Sequence, residues 1–282
     1  MHFKYNKKIL ALIVAAMFIG FFGCKGEKMK MSKVTYKSIK DVPAATWEKL
    51  AKKKIYFAHQ SVGFNIMEGI QDVVDENPEI KLHIVETADE SDFKAGLIAH
   101  SRIGKNLHPD TKINEFVTFI NRGIGKKADA AALKFCYVDI NAKTDVNKLF
   151  SDYDHAIAQL KKKYPDMIII HFTDPLTVTK TTWKTWLKKL FRKKNIWEYD
   201  DNIKRNEYNE LLRKKYEGRE PILDIAEIES TYPDGTRCTF EKEGKTYYAM
   251  VPEYSIDGGH LNNLGRKKVA EQFLILLARL SS

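Results

Sequence analysis

The sequence predicts an α/β protein with a mainly parallel, five-stranded sheet and helices on both of its faces. Two largely apolar runs, at 131–140 and 167–172, are typical of strands that are buried on both sides. Segments with helical periodicity lie between the strand-like runs, which gives β-α-β-α-β-α-β order. The other three strands are predicted near 55–59, 80–86 and 221–225.

Helices are predicted where apolar residues recur every three to four positions. Residues 87–110 contain Gly96, Gly104 and Pro109 and are predicted to be an irregular loop. Loops of this length in a compact domain are usually functional. A β-hairpin is predicted near 236–251. The predicted helices are Pro43 to about Lys53, Asn65 to about Val74, Ile113 to Ile120, Asp145 to Lys163, about Asp201 to Tyr216, and Asn263 to Leu280.

The N-terminus has the pattern of an export signal. Three lysines precede an uncharged apolar run at 9–23, which is typical of a secretory signal peptide. The run ends in Phe21-Phe22-Gly23-Cys24, which resembles a bacterial lipobox, although both phenylalanines depart from the usual pattern. A lipid on Cys24 would anchor the protein to the membrane of a bacterial cell envelope. An ordinary cleaved signal and an uncleaved anchor are the alternatives, and both also imply export.

Charge and cysteine content restrict the partners. The net charge is +10, and removal of residues 1–23, with three lysines and no acid, leaves +7 (10 − 3). Residues 24–42 are predicted to be a tether and 43–282 the folded domain. Export disfavours nucleic acid as a partner despite the positive charge. A disulfide between Cys136 and Cys238 is permitted by export, but their spacing does not imply one.

Ser61 lies at the turn between the first strand and its helix. In an open α/β sheet, ligands bind at this edge. The N–H groups at the start of the helix also attract developing negative charge. Ser61 is therefore a candidate nucleophile, and the alternative is that it only caps the helix.

Asp257-Gly258-Gly259-His260 precedes the last helix and could supply the base. Asp257 can accept the Nδ1–H of His260, which leaves Nε2 free to take a proton from Ser61. Taken alone, the motif could instead be a loop in which Asp257 caps a turn.

Together these motifs resemble the SGNH/GDSL hydrolase superfamily over residues 54–280. In that family the nucleophile follows the first strand and an Asp-x-x-His pair lies near the C-terminus, which match Ser61, Asp257 and His260. The resemblance implies a flavodoxin-like three-layer α/β/α sandwich. It also implies ester hydrolysis, commonly of lipids or of acetyl groups on sugars.

The other family motifs are altered. Gln60 replaces the acidic residue that usually precedes the nucleophile. Gly104 is the best match to the glycine whose N–H holds the oxyanion. Residues 137–141 lack the asparagine motif that usually follows the third strand, so the resemblance leaves Asn106 or Asn141 to supply a side-chain amide.

Neither a metal nor a cofactor is predicted. His59 and His171 could meet Asp257 and His260 at one edge of the sheet, but the sequence has no spacing of ligands typical of a metal site.

Residues 180–197 form a basic segment with four large aromatic residues. Such a composition suits a membrane interface or an acidic polymer. The segment could also cover Ser61 as a lid, or be a solvated helix whose tryptophans pack on the core.

The sequence therefore predicts an exported serine esterase that removes acyl groups, such as acetyl, from a carbohydrate or another ester. Two alternatives remain open on the same fold. One is a non-catalytic carbohydrate-binding module, and the other is an acyltransferase that modifies a glycan.

Overall fold

The computed structural model describes residues 34–179 and 197–282. The predicted signal peptide, Cys24 and most of the predicted tether lie outside these residues. So does nearly all of the basic segment at 180–197. Within the described ranges, no helix has the length and apolar character needed to cross a membrane.

The core is a six-stranded sheet in which all neighbouring strands are parallel. The strands are β1 (Lys54–His59), β2 (His83–Glu86), β3 (Leu97–Arg102), β4 (Ala130–Leu133), β5 (Ile168–Phe172) and β6 (Ile222–Leu223). Their order is β2-β3-β1-β4-β5-β6. Without the edge strand β2, this is the flavodoxin-like order, with a switch point beside β1.

Helices cover both faces of this sheet because alternate residues of each strand point to opposite sides. Ile55 and Phe57 of β1 pack with the first two helices and the last one. Tyr56 and Ala58 pack on the opposite face, with the helices at 109–119, 146–163 and 197–216. The predicted three-layer α/β/α architecture is thus confirmed. Over 34–179 and 197–282, the α-helices longer than three residues are α1 (Ala44–Leu50), α2 (Val62–Glu76), α3 (Pro109–Phe119), α4 (Val146–Lys163), α5 (Trp197–Tyr216), α6 (Ile225–Glu229) and α7 (Asn263–Leu280).

The prediction of five strands was wrong, because the predicted loop at 87–110 contains β3. Gly96 and Gly104 both have positive φ angles, of 73° and 52°, and they mark the two ends of the strand. Residues 97–101 are all buried, including His100 and Ser101. The polar residues His100 and Ser101 made this segment resemble a loop, although both faces of the strand are covered.

Three predicted strands were also too long by two residues or more. The strand predicted at 80–86 begins only at His83, the run at 131–140 is a strand only to Leu133, and the strand predicted at 221–225 has two residues. After Leu133 the chain turns, since the Asp139 N–H donates to the Cys136 carbonyl and the Cys136 N–H to the Asp139 carboxylate, both at 2.7 Å. Burial of the apolar residues there reflects a packed turn rather than a strand.

The folded part begins before residue 43. Ile39 and Val42, which the sequence assigned to the tether, are buried in the core. The Arg279 side chain also donates to the Val34 carbonyl at 3.0 Å. The chain therefore joins the domain within the predicted tether.

The predicted hairpin is present as β7 (Thr239–Lys242) and β8 (Lys245–Tyr248), which pair antiparallel. It forms its own small sheet and packs on α5 through Phe240 and Tyr199, whose ring centroids lie 4.7 Å apart. Both Cys136 and Cys238 are free thiols.

Replacement of Phe273 by alanine tests the central packing. Its buried ring lies 5.7 Å from Phe57 and 5.2 Å from Phe172, centroid to centroid. The cavity left by Phe273→Ala is expected to lower the free energy of unfolding by about 3–5 kcal/mol in urea titrations. Leu264→Ala on the same helix, at a side chain that is 50% exposed, should cost far less. Equal losses for the two variants would contradict this assignment of the core.

Candidate active site

Ser61 occupies a strained turn directly after β1. Its backbone angles are φ 48° and ψ −106°, a region that non-glycine residues rarely adopt. Such strain at a strand-to-helix turn exposes a side chain at the sheet edge. Ser61 is the N-cap residue of α2, yet its side chain makes no capping hydrogen bond. Its hydroxyl is directed elsewhere, so capping does not explain this residue.

A chain of hydrogen bonds links Ser61, His260 and Asp257. Ser61 Oγ lies 2.5 Å from His260 Nε2, and His260 Nδ1 lies 2.7 Å from Asp257 Oδ2. A carboxylate only accepts hydrogen bonds, so Nδ1 carries the ring proton in neutral His260. Nε2 is then an acceptor for the Ser61 hydroxyl. This is the arrangement that proton removal from a serine requires.

Asp257 is held in its ionised form by its neighbours. Partial burial raises its pKa, but hydrogen bonds from the His260 N–H, the His260 ring and the Gly259 N–H outweigh burial and lower the pKa to about 2. The two backbone N–H groups lie 2.8 and 2.9 Å from Asp257 Oδ1. Asp257 is therefore ionised at neutral pH, although its side chain is 53% exposed.

Tyr137 packs against the loop that carries Asp257 and His260. Its ring meets the His260 ring edge to face, with centroids 5.6 Å apart. A Cβ atom at Gly259 would lie 2.6 Å from Cζ of Tyr137, so a larger residue there would displace the Tyr137 ring. Tyr137 thus occupies the position after β4 where the sequence offered no asparagine motif, and it supports the imidazole instead.

Gln60 ties the nucleophile turn to the loop after β3. Its Nε2 donates to the carbonyls of Ile103 and Gly104, both at 3.0 Å. The Gly104 N–H, which the sequence offered to an oxyanion, donates to Glu115 Oε2 at 2.5 Å. Gly104 therefore already has an acceptor for the N–H that the sequence prediction requires.

The two candidate asparagines differ in what their amides do. Lys112 Nζ donates to Asn106 Oδ1 at 2.8 Å. Because an ammonium only donates, this bond fixes the Asn106 amide and leaves its NH₂ group facing away from Lys112. Asn141 Oδ1 accepts the Lys143 N–H at 3.0 Å, which is a local turn. Each asparagine therefore has its amide oxygen engaged and its NH₂ group left to donate.

The two histidines considered for a metal do not join Asp257 and His260. His59 is buried, and its Nε2 lies 3.0 Å from His100 Nδ1. His171 Nδ1 lies 2.9 Å from the Tyr153 hydroxyl, and Nε2 lies 3.1 Å from Glu220. Over 34–179 and 197–282, no three His, Cys, Asp or Glu side chains are grouped to hold a metal ion.

An open pocket of ≈ 810 Å³ lies beside the Asp257 loop. Its polar groups include three aspartates, a lysine, an arginine, an asparagine and a threonine, and its apolar side includes a leucine, two valines and a tyrosine. The lining residues are Leu107, Tyr137, Val138, Asn141, Ala142, Lys143, Thr177, Val178, Asp200, Asp201, Arg205 and Asp257 to Gly259.

A cluster of buried charged residues, which the sequence reading missed, accompanies the pocket residue Arg205. Lys134, Asp174 and Glu229 are each 0–1% exposed. Burial raises the pKa of Asp174 and lowers that of Lys134, because both charged forms lose hydration. Arg205 Nε lies 3.9 Å from Asp174 Oδ2. The signal in the sequence was the presence of Lys134 and Asp139 inside a largely apolar run.

Comparisons with known proteins find similarity only among solved structures. No protein-family model matches the chain, and no curated protein sequence matches it. A GDSL-like lipase from Bacteroides thetaiotaomicron is 13% identical, with a TM-score of 0.45 over 82% of this chain and 94% of that chain. The α/β/α architecture of this chain is shown by its own strand order and helices.

Two other similar structures have different activities in their names. An acetyl esterase mutant with a bound acetate ion is 13% identical, with a TM-score of 0.45 over 81% of this chain and 98% of that chain. The periplasmic domain of a lipopolysaccharide acetyltransferase from Salmonella ser. Paratyphi A is also 13% identical, with a TM-score of 0.44 over 80% and 84%. Likeness at this level assigns neither a family nor an activity to this chain.

Glu229 gives a pH-dependent test of the buried cluster. Burial raises its pKa to about 8, against an opposing hydrogen bond from the Leu176 N–H. The folded state therefore keeps a proton that the unfolded chain releases near pH 4.3. Stability from this group is present below that pH and is lost as pH rises to about 8.

We expect Glu229→Gln to remove about 1 kcal/mol per pH unit of this slope between pH 5 and 8, measured by urea unfolding. Glu227→Gln, at an exposed position on the same helix, should retain the slope of the parent protein. Identical slopes for the parent protein and Glu229→Gln would show that Glu229 is ionised when buried.

Proposed function

We propose that this protein is a serine esterase, with Ser61 as nucleophile, His260 as base and Asp257 as the residue that orients His260. The observation that carries the proposal is the hydrogen-bond chain from Ser61 Oγ through the His260 ring to Asp257. The strain at Ser61 and the absence of a capping bond add to it, because neither serves the helix.

The chemistry proceeds through an acyl-enzyme. Ser61 Oγ attacks the ester carbonyl carbon while His260 Nε2 takes the hydroxyl proton. When the tetrahedral intermediate collapses, the bond to the alcohol oxygen breaks, and His260 gives its proton to that oxygen. A water molecule then repeats the attack on the acyl-enzyme, with His260 as base, and releases the acid and free Ser61. Asp257 stabilises the imidazolium in both steps.

The oxyanion is held by the Ser61 N–H and the Asn106 side-chain NH₂ group. The Ser61 N–H donates to no acceptor among the described residues. The Asn106 amide has its orientation fixed by Lys112. Gly104 can contribute its N–H only if Glu115 gives it up, so we place Gly104 outside the resting oxyanion site.

We propose that the substrate is an acylated carbohydrate. The pocket beside Asp257 offers Asp200, Asp201 and Asn141 to sugar hydroxyl groups, and Tyr137 to the apolar face of a sugar ring. Lipid hydrolysis would call for a long apolar channel, whereas about half of this lining is charged or polar. An acetyl group is the acyl portion that we favour.

We also propose that the enzyme acts outside the cytoplasm, at a membrane surface. The support is the sequence alone, namely the signal-like residues 1–23, the lipobox-like Cys24 and the basic aromatic segment at 180–197. Palmitate labelling of the protein in cells, with Cys24→Ser as control, tests this anchor.

Ser61→Ala is expected to lower ester hydrolysis by about 10,000-fold or more, because the nucleophile is lost. The parent protein should react with a fluorophosphonate probe at Ser61, as mapped by mass spectrometry, and the variant should not. Ser151→Ala, at an exposed serine on α4, is the matched control and should behave as the parent. Full activity in Ser61→Ala would exclude this mechanism.

Probe labelling and analysis of the products also distinguish an esterase from the two alternatives, a binding module and an acyltransferase. A binding module would leave the probe unreacted while still binding oligosaccharide after Ser61→Ala. An acyltransferase would produce an acylated sugar when an acceptor is added, and free acid when it is not.

Asn106→Ala is expected to reduce kcat by about 100- to 1000-fold with little change in KM, because the amide acts on the charge formed in the transition state. Steady-state kinetics with an acetyl ester measures this effect. Asn114→Ala, at an exposed position on α3, is the control. A kcat within about threefold of the parent in Asn106→Ala would exclude Asn106 from the oxyanion site.

A further inference from the structure

Leu107 combines two features that are unusual for a leucine. Its side chain is 63% exposed, and its φ angle is 68°, in the left-handed region. A bulky residue is rarely found there because its Cβ crowds the following carbonyl oxygen. Glycine or asparagine would suit the backbone better, and a polar residue would suit the exposure better. Neither local structure nor core packing accounts for a leucine at this position.

Two buried charges hold Leu107 in this conformation. The Leu107 N–H donates to Asp139 Oδ1 at 2.9 Å. Asp139 Oδ2 pairs with Lys112 Nζ at 2.5 Å, and both side chains are 0% exposed. A buried ion pair of this kind is costly to disrupt by loss of one partner, so the backbone it holds is fixed firmly.

The same ion pair connects the two loops that border the site. Lys112 also donates to Asn106 in the loop after β3, and Asp139 also accepts the Cys136 N–H in the loop after β4. Leu107 therefore does not project from a freely moving loop. Its exposed side chain is presented from a fixed backbone, as contacts for a ligand are.

Leu107 lines the pocket that also contains Tyr137, Val138 and the segment from Asp257 to Gly259. Asp139 lies next to Val138 in the chain, so the bond from the Leu107 N–H places Leu107 beside the apolar side of this pocket. His260 delivers its proton to the departing alcohol, and its loop forms one wall of the pocket. The alcohol portion of the ester is thus the portion that belongs in the pocket.

We propose that Leu107 determines substrate specificity by contacting the apolar face of the sugar ring in the alcohol portion of the ester. This inference rests on the proposed function, since it takes the substrate to be an acylated carbohydrate. A sugar ring offers C–H groups on its face and hydroxyl groups around its rim. Leu107 and Tyr137 suit the face, and Asp200 and Asp201 suit the hydroxyl groups.

Leu107→Gly tests the role because glycine removes the contact and relieves the backbone conformation. The probes are a monoacetylated methyl glucoside, whose alcohol is a sugar, and ethyl acetate, whose alcohol is too small to reach Leu107. We expect kcat/KM for the sugar ester to fall about tenfold or more, mainly because KM rises. A loss of this size is typical when an apolar contact is removed from a substrate pocket. For ethyl acetate kcat/KM should stay within about twofold, and the thermal midpoint should be unchanged or higher.

A structural role for Leu107 predicts a different result, with equal losses on both esters and a lower thermal midpoint. That result would overturn the inference, as would unchanged kinetics on both esters. Leu264→Ala removes an exposed leucine that does not line the pocket, and it should leave the ratio of the two kcat/KM values unchanged.

Failure of the esterase proposal can be distinguished from failure of the proposal for Leu107. If the parent protein cleaves neither ester and Ser61 takes no fluorophosphonate, the esterase proposal fails. Calorimetric titration with methyl glucoside oligomers then tests Leu107 by itself. Binding that Leu107→Gly weakens about tenfold or more supports the contact, whereas equal binding by both proteins, or none by the parent protein, overturns it.

Discussion

The close packing of α2 on α7 is the contact on which the site depends. Each helix begins at the catalytic edge, α2 directly after Ser61 and α7 three residues after His260. A Cβ atom at Gly69 would lie 2.6 Å from the Arg266 carbonyl oxygen, so the helices touch through backbone at this point. Ion pairs from Arg266 to Glu68 and Asp72 flank it, both at 2.8 Å. Two segments 199 residues apart are thereby held within hydrogen-bond distance.

Carboxyl groups near the site differ in charge because their surroundings differ. Asp257 is half exposed and accepts three N–H groups, which hold its pKa at about 2. Glu229 is buried with one backbone donor, and its pKa rises to about 8. Asp174 lies in the same interior, and neither of its carboxylate oxygens has a hydrogen-bond partner among the described residues. An ionised group therefore faces the histidine, while burial raises the pKa values of the two interior acids, Asp174 and Glu229, above their ordinary range.

Local patterns predicted the helices well because their apolar spacing reflects one continuous buried stripe. α7 was predicted with its observed bounds, Asn263 to Leu280. Strands were predicted less well. β3 was missed because His100 and Ser101 are polar yet buried, and β4 was drawn too long because the turn after Leu133 is also buried. Burial of a segment can be read from its composition, but the backbone conformation within a buried apolar run cannot.

The sequence by itself determined the α/β order and identified Ser61, Asp257 and His260 as candidate site residues, because each lies in a short motif at the start of a helix. Tertiary structure alone decided the partners of distant groups. It gave the Gly104 N–H to Glu115, paired His59 with His100, and used Lys112 and Asp139 to fix the loops around Leu107. The physical reason is that a hydrogen bond or ion pair depends on positions in space. Ser61 combines both kinds of information. Its position at the turn followed from the local sequence, whereas its hydrogen bond to His260 depends on the packing of the sheet with α2 and α7.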